Sequence, residues 1–244
     1  MADTRLHRGP HPEDLELFAE QHWPALRRAF EDICWLLDRG YALRSSLALV
    51  GDRHRLVQRQ RLAVARCASS RQQRDRRRAH QVETTTLAGR ELWIDGFNLL
   101  VTVEAALADG VILLGRDGCC RDMASVHGTY REVAETTRAA QIIAAAVAKW
   151  KVRKCRWLLD RPVGNSGRLK DTLDALAMEA GLDWEVVLEF NPDRTLAESS
   201  AVVASSDSAV LDRCERWCNV TREVISLSVR DAFVLNLNSE EGER

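Results

Sequence analysis

Three aspartates in this chain stand where short apolar runs end: Asp95 in LWIDGFN, Asp160 in RWLLDRP and Asp207 in VVASSDSAVLD, with Asp212 closing the last motif. If those runs are neighbouring strands of one parallel sheet, the aspartates meet at its carboxyl edge, where open sheets bind ligands. Converging carboxylates without a cationic partner repel, and a hard divalent cation, Mg2+ or Mn2+, is the usual remedy. Asp95, Asp160, Asp207 and Asp212 are therefore the expected metal ligands. Such a site activates water and stabilises charge on a phosphodiester, so hydrolysis needs no nucleophilic side chain. Asn98, where the chain turns from Asp95 into a helix, is placed to hold a carboxylate or the scissile phosphate. Ser205, Ser206 and Ser208 surround Asp207 with hydroxyl and amide donors for phosphate. The structural alternative is that each aspartate only caps the helix after its strand, a role worth about 1 kcal/mol.

A second group of chemically able residues lies in LLGRDGCCRDMASVHGTYR, where Arg116, Asp117, Arg121, Asp122, His127, Tyr130 and Arg131 are close in sequence. Loops at strand ends carry substrate-specific groups, and Arg116, Arg121 and Arg131 are the expected substrate contacts. The alternative is a glycine-pinned loop whose aspartates and arginines pair with each other. A third group precedes both. Between Arg39 and Arg78 stand twelve arginines against two acids, Asp52 and Asp75, in a chain of net charge -1, so a basic arm is joined to an acidic body. Arg53, Arg55, Arg59, Arg61 and Arg66 are the expected contacts to a nucleic-acid backbone; a solvated helix face is the competing reading.

These residues need elements to position them. Leu26, Ala29, Phe30, Ile33, Leu36 and Leu37 recur at three and four, one buried stripe of a helix that Gly40 ends. Helices are also expected over 42–50 and 53–68. RQQRDRRRAH is polar all round and reads as a frayed end or a tail that orders on a partner. Residues 79–90 read as a linker. After it, short apolar runs alternate with helices: strands at 92–94, 111–114, 155–159, 184–190, 200–204 and 223–226, and helices at 99–107, 132–150 (boxed by Thr129 and Glu132), 166–180 and 207–217. That alternation predicts an α/β domain over 91–235 with a mainly parallel sheet, behind an all-α domain over 1–80.

Composition narrows the class. At 244 residues, 45% apolar and 29% charged, without a run near the ~20 apolar residues of a membrane span, a globular protein independent of membranes is expected. The opening MADTRLHRGPHPEDLELF has acids and no apolar core of a secretory signal, so a cytoplasmic location is expected. Seven cysteines without a CxxC pair predict reduced core thiols, and Cys214 and Cys218 lack partners for a zinc site. Phe97 stands where a haloacid-dehalogenase-type phosphatase needs its second aspartate, and no P-loop, dinucleotide fingerprint or nucleophile elbow is present. Assembly with further copies of the chain stays open.

DGFNLL at 95–100, the strand ending in Asp160 and ASSDSAVLD at 204–212 resemble the successive motifs of the NYN branch of the PIN-like nucleases. That resemblance implies a Rossmann-like fold and Mg2+- or Mn2+-dependent cleavage of RNA, with Asp95, Asn98, Asp160 and Asp207 at the active edge. Such enzymes usually add an acid from a helix, and Glu132, Glu135, Asp193 and Glu198 all stand as choices. A module that keeps the fold and binds RNA or protein without catalysis is the alternative. GYALRSSLALVGDRHRLVQRQRLAVAR, with the overall architecture, resembles the family called domain of unknown function 434, which implies no activity for the helical part.

Overall fold

The computed structural model describes residues 6–124 and 128–238. Five helices come first: α1 (Asp14–Leu17), α2 (Trp23–Leu37), α3 (Leu43–Arg53), α4 (Gln58–Cys67) and α5 (Arg71–His80). The predicted stripe of α2 is buried through Leu26, Ala29, Phe30 and Ile33. The α3 helix runs through Gly51, and the break before α4 falls at His54–Val57, inside the stretch expected as one helix. The RQQRDRRRAH segment is an ordered helix. Ser70 Oγ accepts from Gln73 N while the Gln73 side chain accepts from Ser70 N, a reciprocal cap at its first turn.

Strand β1 (Glu91–Asp95) leads into α6 (Gly96–Leu107), then β2 (Ile112–Leu114), β3 (Cys120–Arg121), α7 (Thr136–Lys149), β4 (Lys154–Asp160) and α8 (Ser166–Ala180). There follow β5 (Trp184–Glu189), α9 (Pro192–Ala197), β6 (Val202–Ala204), α10 (Ser208–Leu211), α11 (Val220–Ser228) and β7 (Val234–Asn236). The first sheet is wholly parallel, in the order β5-β4-β1-β6. The second, β3-β2-β7, pairs β2 with β7 in parallel and with β3 antiparallel. The expected α/β class with a mainly parallel sheet is what the chain forms.

Alternation along the strands decides which residues reach which layer. Leu92, Ile94, Trp157 and Leu159 enter a core shared with α6, α7 and α8, whereas Trp93, Leu158 and Val203 face the opposite layer, where Leu196 of α9 and Trp217 pack. The helical segment is fastened to the second sheet: Leu26, Phe30, Ile33 and Val64 share one apolar cluster with Val111, Leu113, Leu235 and Leu237. All seven cysteines are buried and unbridged. Among the described residues no helix is long and apolar enough to cross a membrane.

Several expectations change. Residues 223–226 are helical, within α11, because Val220, Thr221, Val224 and Ile225 form a buried stripe and the Asn219 side chain caps the start by accepting from Arg222 N. The helix expected from Glu132 begins at Thr136, whose hydroxyl accepts from Val133 N and donates to Glu104, while Thr129 bridges to Gly164 instead of capping. The helix expected at 207–217 is the short α10. The linker at 79–90 carries a 3-10 turn at Thr84–Leu87 and a bridge from Gln81 to Trp217.

Candidate active site

The chain steps from β1 outward to β4 and β5, then returns to lay β6 on the other side of β1, so the strand order switches between β1 and β6. A ligand crevice belongs at the carboxyl end of such a switch. Asp95 is the last residue of β1 and is buried. It stands at the N-terminus of α6 yet makes no side-chain capping bond; instead Ser205 Oγ donates to its Oδ2 at 2.7 Å. Gly96 lets the chain turn there, because a Cβ would strike the Leu159 side chain and lie 2.9 Å from the Leu158 carbonyl oxygen.

Ser205 ties the two strand ends together, since its Oγ also accepts from Asp207 N at 3.0 Å. Asn98 Oδ1 accepts from Ser206 N at 2.7 Å, and the Ser206 carbonyl accepts from Arg121 Nε at 2.8 Å. The loop after β6 is thereby locked to α6 on one side and to β3 on the other. Asp160 ends β4 half-buried, on the same face as Leu158, and Asp193 comes from the first turn of α9 over that face.

The carboxylates sense one another. Burial pushes Asp95 from its ordinary 3.8 up to about 7; the Ser205 hydrogen bond opposes this, and Asp193, Asp207 and Asp160 add their repulsion. Asp193 is raised by burial and then by Asp207 and Asp160, and Asp160 is raised by burial. Of the four acids that the sequence offers, Asp193 is the one that stands close enough to sense Asp95, Asp160 and Asp207. Glu132 accepts from Thr172, Glu135 from His7, and Glu198 pairs with Arg194.

What distinguishes Asp95 is the missing cation. Among the described residues the other buried acids each meet an arginine: Asp14 with Arg59, Glu104 with Arg8 and Asp122 with Arg66. The Asp117 carboxylate, equally enclosed, is held between Arg77 and Arg121, which keep it far below the usual carboxylate range despite its burial. Asp95 has a serine hydroxyl and three other carboxylates around it.

Asn98, Ser206 and Asp207, together with Arg66, Arg121 and Thr102, line an open cavity of about 480 Å3 between α4, α6 and the loop after β6. The other nominated residues lie elsewhere. Asp212 is turned to α5, where its Oδ1 meets Arg77 Nε at 2.7 Å and its Oδ2 accepts from Gln73. Asp207 does cap α10, accepting from Ala209 N and Val210 N on Oδ1. Arg116 pairs with Asp38 and reaches the Ser69 carbonyl, and Arg121 is bidentate on Asp117. The insert therefore follows its pairing alternative at Asp117 and Arg121, while His127 lies outside the described residues. Arg131 precedes α7, its carbonyl accepting from Arg8. Of the five arginines expected on a nucleic-acid backbone, Arg59 serves Asp14, Arg61 serves Asp52 and the Leu56 carbonyl, and Arg66 reaches the carbonyls of Asp122 and Ala124. Arg53 and Arg55 are exposed.

A family model for a domain of unknown function (DUF5616) matches residues 84–223, the stretch that carries all four strands of the first sheet. The chain belongs to that family. Residues 25–80 match a second one, described as protein of unknown function (DUF434), so the resemblance of the helical part to that family holds over α2 to α5. The chain is also similar to an uncharacterized protein of Methanocaldococcus jannaschii, 26% identical over 187 residues that cover 77% of this chain and 89% of the relative. No solved structure gives a significant match.

Proposed function

We infer that this protein is a metal-dependent phosphodiesterase acting on RNA, built on a PIN-like variant of the Rossmann architecture, with its reacting centre at Asp95, Asp160, Asp193 and Asp207. One observation carries the reading: among the described residues Asp95 is the buried acid that a chain rich in arginine leaves without a cation. The cost of that arrangement falls away when a cation binds.

Among the described residues no group of three or more His, Cys, Asp or Glu side chains is arranged to hold a metal ion. The donor chemistry fits Mg2+ or Mn2+ all the same, because Mg2+ keeps several waters and is commonly held through one or two carboxylates together with substrate phosphates. Asp95 with one of its acidic neighbours supplies that set. A bound cation would supply charge to polarise the phosphodiester and to favour ionisation of water. Ser205 orients the Asp95 carboxylate, and Asn98 fixes the loop that carries Asp207. The cavity beside Asn98 and Asp207 gives the substrate its approach, with Arg66 and Arg121 on its wall; on the helical segment Arg55 and Arg53 are exposed toward solvent, Arg53 with Asp32 at 3.8 Å beside it.

A panel of single-stranded and structured RNAs with Mg2+ or Mn2+ tests this. Cleavage is expected that stops with EDTA and falls to background in Asp95→Asn. A panel without metal-dependent cleavage removes the reading. It would leave a non-catalytic RNA- or protein-binding module, which the capping bonds on Asp207 favour.

A further inference from the structure

Beyond the carboxylates, the same edge of the sheet carries an aromatic and arginine pair that no structural role accounts for. Phe190 directly follows β5, is 68% exposed, and is absent from every apolar cluster of the fold. The guanidinium of Arg161 lies over its ring, 4.7 Å from the centroid. Arg161 is itself exposed and has no ion pair among the described residues, unlike Arg59, Arg61, Arg77, Arg116 and Arg121.

The register explains why the two meet and where they stand. Asp160 of β4 pairs with Glu189 of β5, so the next residue on each strand, Arg161 and Phe190, are cross-strand neighbours just beyond the sheet. The backbone bond from Arg161 N to the Glu189 carbonyl, 2.7 Å, and the bond from Phe190 N to Glu189 Oε1, 2.8 Å, hold both in place. One residue behind Arg161 is Asp160, and three beyond Phe190 is Asp193, both members of the acidic centre. An exposed ring with a planar cation on it, fixed beside that centre, is the construction on which unpaired bases stack. Every base has a π-face, and arginine adds a cation–π contribution and attraction to the phosphate chain.

We propose that Phe190 and Arg161 form a stacking platform for an unpaired nucleobase, which seats a single strand so that a phosphodiester falls at the neighbouring carboxylates. The proposal rests on the reading of this edge as a phosphodiesterase centre, and it names single-stranded over duplex nucleic acid as the substrate class. Paired bases offer no free face to the platform.

The test is read as binding, in EDTA, on the full chain. A short fluorescein-labelled oligoadenylate and an abasic ribose-phosphate oligomer of the same length are titrated with wild type, Phe190→Ala, Phe190→Tyr and Arg161→Lys, with fluorescence anisotropy as the readout. The expected result is a Kd for oligoadenylate about 5- to 150-fold weaker in Phe190→Ala, the range that loss of one base–aromatic stack implies. Phe190→Tyr should restore binding, Arg161→Lys should retain only part of it, and the abasic oligomer should not distinguish the two Phe190 variants from wild type. Unchanged melting temperatures, expected for so exposed a ring, confirm that the variants fold. Equal oligoadenylate affinity in wild type and Phe190→Ala, an equal loss on the abasic oligomer, or no binding by wild type overturns the proposal. Failure of the phosphodiesterase reading shows separately, as absence of metal-dependent cleavage by wild type; cleavage with unaltered binding in Phe190→Ala sinks the platform alone.

Discussion

Replacing Asp95 by asparagine should stabilise the protein, and the gain should depend on pH. The Asp95 carboxyl is pushed from its ordinary 3.8 up to about 7 in the folded chain, chiefly by burial. The folded state therefore holds this proton more tightly than the unfolded chain does. Its contribution to stability is complete below about pH 4 and is lost as the pH rises through about 7. The interval between 3.8 and about 7, at ~1.4 kcal/mol per pH unit, sets a ceiling of about 4 kcal/mol. Asparagine has the same shape, still accepts from Ser205, and never ionises. The variant should match wild type near pH 4 and exceed it by up to about 4 kcal/mol above pH 7, or about 8–16 °C in melting temperature for a chain of this size. Thermal and urea melts from pH 4 to 8 measure the difference. Saturating Mg2+ or Mn2+ at the alkaline end should narrow the gap by raising wild type alone, by about 2.7 kcal/mol at a hundredfold excess over Kd. A difference that does not change with pH, or an Asp95→Asn protein less stable than wild type at pH 8, refutes the reasoning.

Two further outcomes follow from the same electrostatics. Arg77→Met should cost about 3–5 kcal/mol in urea denaturation, because it removes one of the two cations that compensate the enclosed Asp117 and the partner of Asp212; a loss below about 1 kcal/mol would show that Arg121 alone suffices. Ser205→Ala removes the hydrogen bond that opposes burial at Asp95, so the carboxyl should titrate higher still in a carbon-detected NMR titration, and a lower midpoint would contradict the geometry.

The parts of this architecture that could be read in the sequence are those whose signal is local. LWID, RWLLD and VVA announce buried strands through continuous apolar runs, and their aspartates mark the strand ends because charge stops burial. The stripe of α2 announces itself by period. Where the signal is short, it is ambiguous: EVIS reads equally as a strand or one face of a helix, and only the stripe from Val220 to Ile225, with Asn219 at its cap, makes it α11. PDRTLA is a single short helix, so Asp193 could be named as a choice, but its place near Asp160 and Asp207 follows only from α9 packing over β1 and β4. The fate of the arginines was the least accessible. Arg77 meets Asp117 and Asp212, and Arg66 meets Asp122, across separations that no local pattern encodes.

Those pairings alter what the arginine content means. A basic stretch in sequence becomes, in space, a set of clamps between the helical segment and the α/β part: Arg66 on the Asp122 and Ala124 carbonyls, Arg76 on the Asp212 carbonyl, and Arg77 on Asp117 and Asp212. An ion pair of this kind stabilises only when both charges are compensated, and an acid left without its arginine is costly. The chain could have met Asp95 in the same manner, since Arg121 already reaches the Ser206 carbonyl, next to the serine that Asp95 binds. It places that guanidinium on Asp117 and Ser206, where it fixes the loop, and leaves the carboxylate edge negative. Among the described residues the fold compensates its other buried acids from within and not Asp95; on the proposed reading that place takes a charge from outside, and the exposed Arg161 and Phe190, next to Asp160, lie on the same edge of the sheet.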